Sequence, residues 1–346
     1  MMETRHWLAD EDLTDPQRAG QRLMVGFDGT DLNSDLKYLI GTIKVSGIVL
    51  FARNILSPKQ IKELCLSVQA HARACGQPPL LIAVDQEGGQ VARLKKPFTQ
   101  FSGNPSMQGE QDAVHFGRTT AAELASVGIN MNLAPVMDVA PGEIESAVAG
   151  RVFGDDPLRV ANLGVKVIEE LQRGGIMAVA KHFPGIGRTT LDSHLDMPTL
   201  GVGISDLTSF DLTPFQAAIR HDVAGIMLSH IRYDGIDSEW PASMSSRIAG
   251  NLLRNRMGFQ GLALTDDLDM GAVQKNYGIE TAIQRMMSSE IDLALICHRS
   301  EKMEQAFEEI LRVDQSSRDL RIKGDASIRR ILKMKEKYLS SWTGTK

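Results

Sequence analysis

The sequence predicts an α/β protein, a (β/α)8 TIM-type barrel folded as a single domain, on three observations. Eight short apolar runs recur along the chain, helical patterns lie between several of them, and ionisable residues fall just after the runs rather than before them. Strands alternating with helices make parallel βα units. Eight such units fit a barrel, whose usual length is roughly 250 residues with additions. The 346 residues leave room for a barrel core over about 20–313 and a C-terminal helix over about 326–339, so that 1–346 reads as one domain. An open doubly wound sheet is the runner-up, weakened because no run is followed by a G-x-G-x-x-G turn.

The predicted strands are 23–27, 47–51, 80–84, 129–136, 176–180, 224–228, 261–265 and 291–296. Each is short, apolar and bounded by breakers, the pattern of a strand buried on both faces. Ser57-Pro58 reads as an N-cap and first-turn proline. Ile61, Leu64, Cys65, Val68 and Ala72 then recur at helical spacing until Gly76. Val160, Leu163, Val167 and Leu171 form a second stripe closed by Gly174, and Thr213-Pro214 opens another helix. Ile248, Leu252 and Leu253 lie on one that stops at Gly258, and helices over 301–313 and 326–339 close the chain.

Composition excludes several classes. A net charge of −5 argues against a nucleic-acid partner. Cys65, Cys75 and Cys297 are too few and scattered for a disulfide framework or zinc knuckle. The polar, acidic first twelve residues lack the apolar stretch of a secretory signal, and no run approaches a membrane span. A cytoplasmic protein is expected, with no membrane partner. Met24, Met131, Met137, Met177 and Met227 lie in or beside runs and read as core filler.

The barrel reading makes the strand ends the place to look for chemistry, because barrel active sites lie at the C-terminal face. Arg53 follows the second run, Asp85 and Glu87 the third, Asp138 the fourth, and Lys181 and His182 the fifth. Ser229 and His230 follow the sixth, Asp266 and Asp267 the seventh, and His298 the eighth. The stretch Lys181-His182-Phe183-Pro184-Gly185-Ile186-Gly187, continuing to Asp192-Ser193-His194, carries the densest set. Paired carboxylates across a bound sugar are the usual means of glycoside hydrolysis. Asp192 and His194 are one residue apart, so in an extended loop they point the same way. A carboxylate beside an imidazole fixes its tautomer and favours the imidazolium. A metal-dependent hydrolase would usually need paired ligands such as His-x-His, which the sequence lacks; no metal and no cofactor are expected.

Those residues resemble glycoside hydrolase family 3, in particular its single-domain bacterial β-N-acetylglucosaminidases of peptidoglycan recycling. The likeness covers about 20–297. It rests on the K-H-F-P-G-x-G and D-S-H elements at 181–187 and 192–194, D-Q-E-G-G-x-V-x-R at 85–93, G-R-x-F-G-x-D-P at 150–157, and Thr265-Asp266 at a strand end. The resemblance implies a retaining exo-acting hydrolase that releases N-acetylglucosamine from cell-wall muropeptide fragments through a covalent glycosyl-enzyme. Asp266 would be the nucleophile and His194 the acid/base, oriented by Asp192. Asp85, Arg93, Arg151, Lys181, His182 and His230 would bind the sugar. The partner implied is a small carbohydrate, and a monomer is expected. Ile186 stands where many relatives carry histidine, Gln90 where arginine is frequent, and Val152 where serine is frequent. A family 3 glycosidase of other sugar specificity, or a pocket-retaining sugar-binding protein without turnover, are the alternatives.

Overall fold

A computed structural model describes residues 12–191 and 197–340. Among the described residues, eight parallel strands close a barrel: β1 (Leu23–Val25), β2 (Gly47–Leu50), β3 (Leu81–Val84), β4 (Met131–Asn132), β5 (Met177–Phe183), β6 (Gly225–Leu228), β7 (Leu262–Asp267) and β8 (Leu293–Ile296). They run in chain order around the barrel, and β1 pairs with both β2 and β8 to close it. Each lies on one of the eight apolar runs. The (β/α)8 expectation therefore holds, and the open sheet is ruled out by the β1–β8 pairing.

Alternation along the strands divides their side chains into two apolar layers. Met24, Val49, Leu81, Met131, Met177, Val179, Met227, Leu264 and Leu295 belong to one cluster, the barrel interior. Leu23, Ile48, Ile82, Ala178, Ile226, Ala263 and Ala294 belong to the other, against the surrounding helices. The five methionines singled out above are all buried. Cys65 and Cys297 are buried too, and the three cysteines are free.

Helix Pro58–Ala74 starts where Ser57 accepts the amide of Gln60 at 3.1 Å, and Asp156 caps Pro157–Arg173 through the amide of Leu158. Helix Glu110–Ser126 was not expected; its cap is Gly109, which offers no side chain to its first-turn amides, although Ala113, Phe116, Thr120, Ala121 and Leu124 recur on its buried face at helical spacing. Ile279–Ser288 begins the same way, at Gly278. The 247–256 segment is helical but wound with wide π-type turns. The closing helix is longer than expected, Arg318–Leu339 rather than 326–339. Ser317 caps it, and Gly324 lies inside it as a close approach, since a Cβ there would come 2.9 Å from Asp314 Oδ1.

That last helix covers the N-terminal ends of the strands. Ile328, Ile331 and Leu339 join the interior cluster. Lys335 donates to Gln21 Oε1 and to the carbonyl of Ser46, just before β1 and β2. Arg330 reaches Asp292, just before β8, which also takes Arg254 and the amide of Ala263. The opposite end carries the extra structure. A ribbon of Gln86–Gly88 with Val91–Ala92 follows β3. A three-stranded sheet of Thr199–Gly203, Arg232–Gly235 and Asp237–Pro241 is built from the connections after β5 and β6.

Candidate active site

The C-terminal ends of β3, β5 and the 149–151 turn bring five charged groups into one network. Lys181 Nζ lies 2.7 Å from Asp85 Oδ1 and 2.7 Å from Glu87 Oε1. Arg151 grips Glu87 with two parallel bonds, of 3.0 and 2.7 Å. Arg93 reaches Asp85 Oδ2 at 3.4 Å. Bidentate pairing of this kind fixes orientation as well as charge. Burial would push the Asp85 carboxyl up, but the charges of Lys181, Arg93 and Arg151 outweigh it and hold it below the usual carboxylate range. Glu87 is lowered in the same way, against its burial, by Lys181 and Arg151. Burial works equally against the Lys181 ammonium, and Asp85 and Glu87 raise it above the ordinary lysine value.

His182 belongs to a second arrangement. Its Nδ1 lies 2.8 Å from Asp138 Oδ2, and Asp138 also accepts the backbone amides of His182 and Ile186. The pairing of β5 with β6 slips between Lys181 and Phe183, and such an irregularity re-aims side chains at a strand end. Asp138, buried completely, thus fixes the ring's orientation through Nδ1.

The end of β7 distinguishes its two aspartates. Asp267 is tied to the frame: its Oδ1 accepts the amides of Asp269 and Cys297, each at 3.0 Å. Burial, together with the neighbouring charges of Asp269 and Asp266, pushes it up to about 6. Among the described residues, Asp266 accepts the amide of Asp267, at 2.8 Å. Burial opposes its charge, yet His182, His230, that amide and Lys181 together hold it below the usual range. The helical turn that follows, Gly271–Gln274, starts from Met270 and makes no use of the Asp266 carboxylate as a cap. His230 is held by Ser243 Oγ at 2.7 Å and by the carbonyl of Asp267 at 2.9 Å.

The structure therefore brings Asp85, Arg93, Arg151 and Lys181 into one network, and sets His182 and His230 within electrostatic reach of Asp266. Asp192 and His194 lie outside the described residues. Glu87 and Asp138 were visible as strand-end carboxylates, yet nothing in the sequence paired them with Arg151 and His182, 64 and 44 residues away. Ile186 is buried. Arg53 is spent on the frame, donating to the carbonyl of Cys297 and pairing with Asp28. Among the described residues, Asp267, Asp269 and His298 are close enough to share a metal ion. Asp269, however, already accepts the amide of His298 and pairs with Lys302.

The arrangement can hold a neutral polyhydroxylated ligand. Charged donors and acceptors gather at the ends of several strands, and one carboxylate, Asp266, is held below the usual carboxylate range while accepting from the frame the amide of Asp267.

Comparison with known proteins gives a consistent result. The description "Glycosyl hydrolase family 3 N terminal domain" matches residues 16–334. A protein from Nitrosomonas eutropha named beta-hexosaminidase is 36% identical over 286 residues, covering 80% of each chain. The structure of a glycoside hydrolase family 3 beta-N-acetylglucosaminidase from Paenibacillus sp. superposes with a TM-score of 0.92 at 33% identity, over 95% of this chain and 63% of that one. The chain thus spans less than two thirds of that enzyme. A beta-N-acetylhexosaminidase from Beutenbergia cavernae gives 0.87 at 29% identity, over 94% and 99%.

Proposed function

The chain belongs to glycosyl hydrolase family 3, and from that premise we propose that it is a retaining, exo-acting β-N-acetylglucosaminidase. The observation that carries this reading is the state of Asp266. It is held charged against its burial by His182, His230 and Lys181, and it lies beside a network suited to gripping sugar hydroxyls. The names of the similar proteins from Nitrosomonas, Paenibacillus and Beutenbergia support the same substrate class.

In this reading Asp266 attacks the anomeric carbon while His194, as the imidazolium, gives its proton to the leaving oxygen. The C1–O bond breaks as the Asp266–C1 ester forms. Neutral His194 then takes a proton from water, whose oxygen attacks C1. The ester opens, the Asp266 carboxylate returns, and the product keeps the β configuration. Asp192 orients His194. Asp85, Arg93, Arg151, Lys181, His182 and His230 hold the sugar ring whose C1 Asp266 attacks. A muropeptide fragment as natural substrate, action in the cytoplasm and a monomeric enzyme complete the proposal.

Hydrolysis of a chromogenic β-N-acetylglucosaminide beside the matching β-glucoside, by wild type and His194→Ala, tests it. Preference for the N-acetyl sugar, with loss of about 10²–10⁴-fold in the variant as expected for a proton donor, supports both substrate and mechanism. Preference for the glucoside overturns the specificity. No turnover of either favours a sugar-binding protein.

A further inference from the structure

The chain leaves β5 through residues 184–191, the stretch that leads directly to Asp192. Contacts from other parts of the fold pin it, among them the amide of Ala147 on the carbonyl of Thr189 at 2.9 Å. Asp138 accepts the amide of Ile186 at 2.8 Å. The Tyr233 hydroxyl donates to the carbonyl of Gly185 at 2.8 Å. Arg188 Nε donates to Asp211 Oδ2 at 2.9 Å, and its guanidinium lies 4.8 Å above the Phe210 ring. The fit is close. Gly185 has φ of 122°, and a Cβ there would come 2.8 Å from Asp211 Cβ.

The Arg188–Asp211 pair is a poor device for stability. The Asp211 side chain is fully buried, and its Oδ1 has no hydrogen-bond partner among the described residues. Burial pushes its carboxyl up to about 6 even though Arg188 opposes this, and the charge of Asp138 adds to the rise. A carboxyl raised in the fold contributes stability while protonated and loses it as pH rises through the raised value. Near neutral pH, then, Asp211 is ionised at a cost, and buried ion pairs of this kind rarely add net stability. A group kept charged at a cost, on the one cation of this stretch, points to a geometric task.

We infer that Asp211 is a positioning residue for proton donation: through Arg188, with Tyr233 beside it, it sets the pose of residues 184–191 from which Asp192 and His194 follow. The inference rests on the acid/base role proposed for those two residues. A positioning error near 1 Å at a reacting group costs on the order of 10²-fold in rate. The loss must appear where a proton is needed and vanish where it is not.

The experiment measures kcat/KM, which reports the first chemical step, on two β-N-acetylglucosaminides. One carries a 2,4-dinitrophenyl leaving group that departs unprotonated; the other carries an unactivated alkyl group. Asp211→Asn and Arg188→Ala should lose about 10–100-fold on the alkyl glycoside and far less on the activated one. Arg188→Lys should recover part of the loss, and Asp211→Asn should melt at or above the wild-type temperature at neutral pH. Tyr233→Phe removes one hydroxyl from the same stretch and should show the same selectivity, whether or not Asp211→Asn folds. Equal losses on both glycosides, or none on either, overturn the inference while leaving the hydrolase reading intact. Wild type that turns over neither glycoside overturns the hydrolase reading and this inference with it.

Discussion

Replacing Asp266 by asparagine is expected to lower kcat by about 10⁴-fold or more, the scale at which removal of a catalytic nucleophile is felt, while leaving the fold intact. Asparagine keeps the oxygen that accepts the Asp267 amide and removes only the charge. The charge matters because burial alone would neutralise it, and His182, His230 and Lys181 are arranged to prevent that. Asp267→Asn is the matched comparison. Its carboxylate is bonded to two frame amides and pushed up to about 6. A raised carboxyl favours folding when protonated and disfavours it once ionised, so a neutral amide there should cost little activity and add stability above pH 6. Steady-state rates for both variants, with mass spectrometry of the trapped glycosyl-enzyme, check this. An adduct on Asp267, or an Asp266→Asn enzyme within tenfold of wild type, would reassign the nucleophile.

Lys181→Met should be the most damaging change outside the reacting groups. Its ammonium, almost wholly buried, serves Asp85 and Glu87 at once. Taking one partner out of a buried ion pair typically costs about 3–5 kcal/mol, because the remaining charge is left without its counter-ion. The pH dependence has a definite sign. In the wild type both carboxyls are lowered, so their contribution is present above the unfolded values near 4 and lost as pH falls through the folded ones. Without the ammonium, burial is opposed only by Arg93 and Arg151. Both carboxyls rise, and the variant loses stability as pH climbs instead. Denaturant melts of the two proteins should therefore differ most near pH 7 and converge towards pH 4. A gap that does not change with pH would mean that Lys181 acts through packing.

The sequence carried the barrel because each strand is buried on both faces, and that leaves an apolar run with breakers at its ends. The helices at Glu110–Ser126 and Ile279–Ser288 were missed: glycine precedes both, so no capping side chain announced them, and their apolar stripes, such as Ile279, Ile283, Met286 and Met287, went unread. The pocket shows the same division. Asp85, Lys181, His182 and Asp266 were readable from their place after strands, whereas their partners were not. Glu87 looks like a neighbour of Asp85 until Arg151 is seen to grip it. Asp138 is one more strand-end acid until His182 is found on it, and Asp211 sits at the head of an ordinary helix until Arg188 reaches it. Pairings across tens of residues depend on barrel closure, which periodicity does not encode. For Asp192 and His194, outside the described residues, the sequence remains the whole basis.

The helix Arg318–Leu339 gives the molecule a back. It seals the floor with Ile328, Ile331 and Leu339 and faces away from the strand ends where Asp266 and Lys181 gather. Lys333 and Glu336 are exposed on it, among residues that have no part in the pocket. A dye, a bead or a carrier protein joined there would be carried on the blind side, with the mouth turned outward. The same chain could in that way be mounted on a surface with its strand-end face left open to solvent.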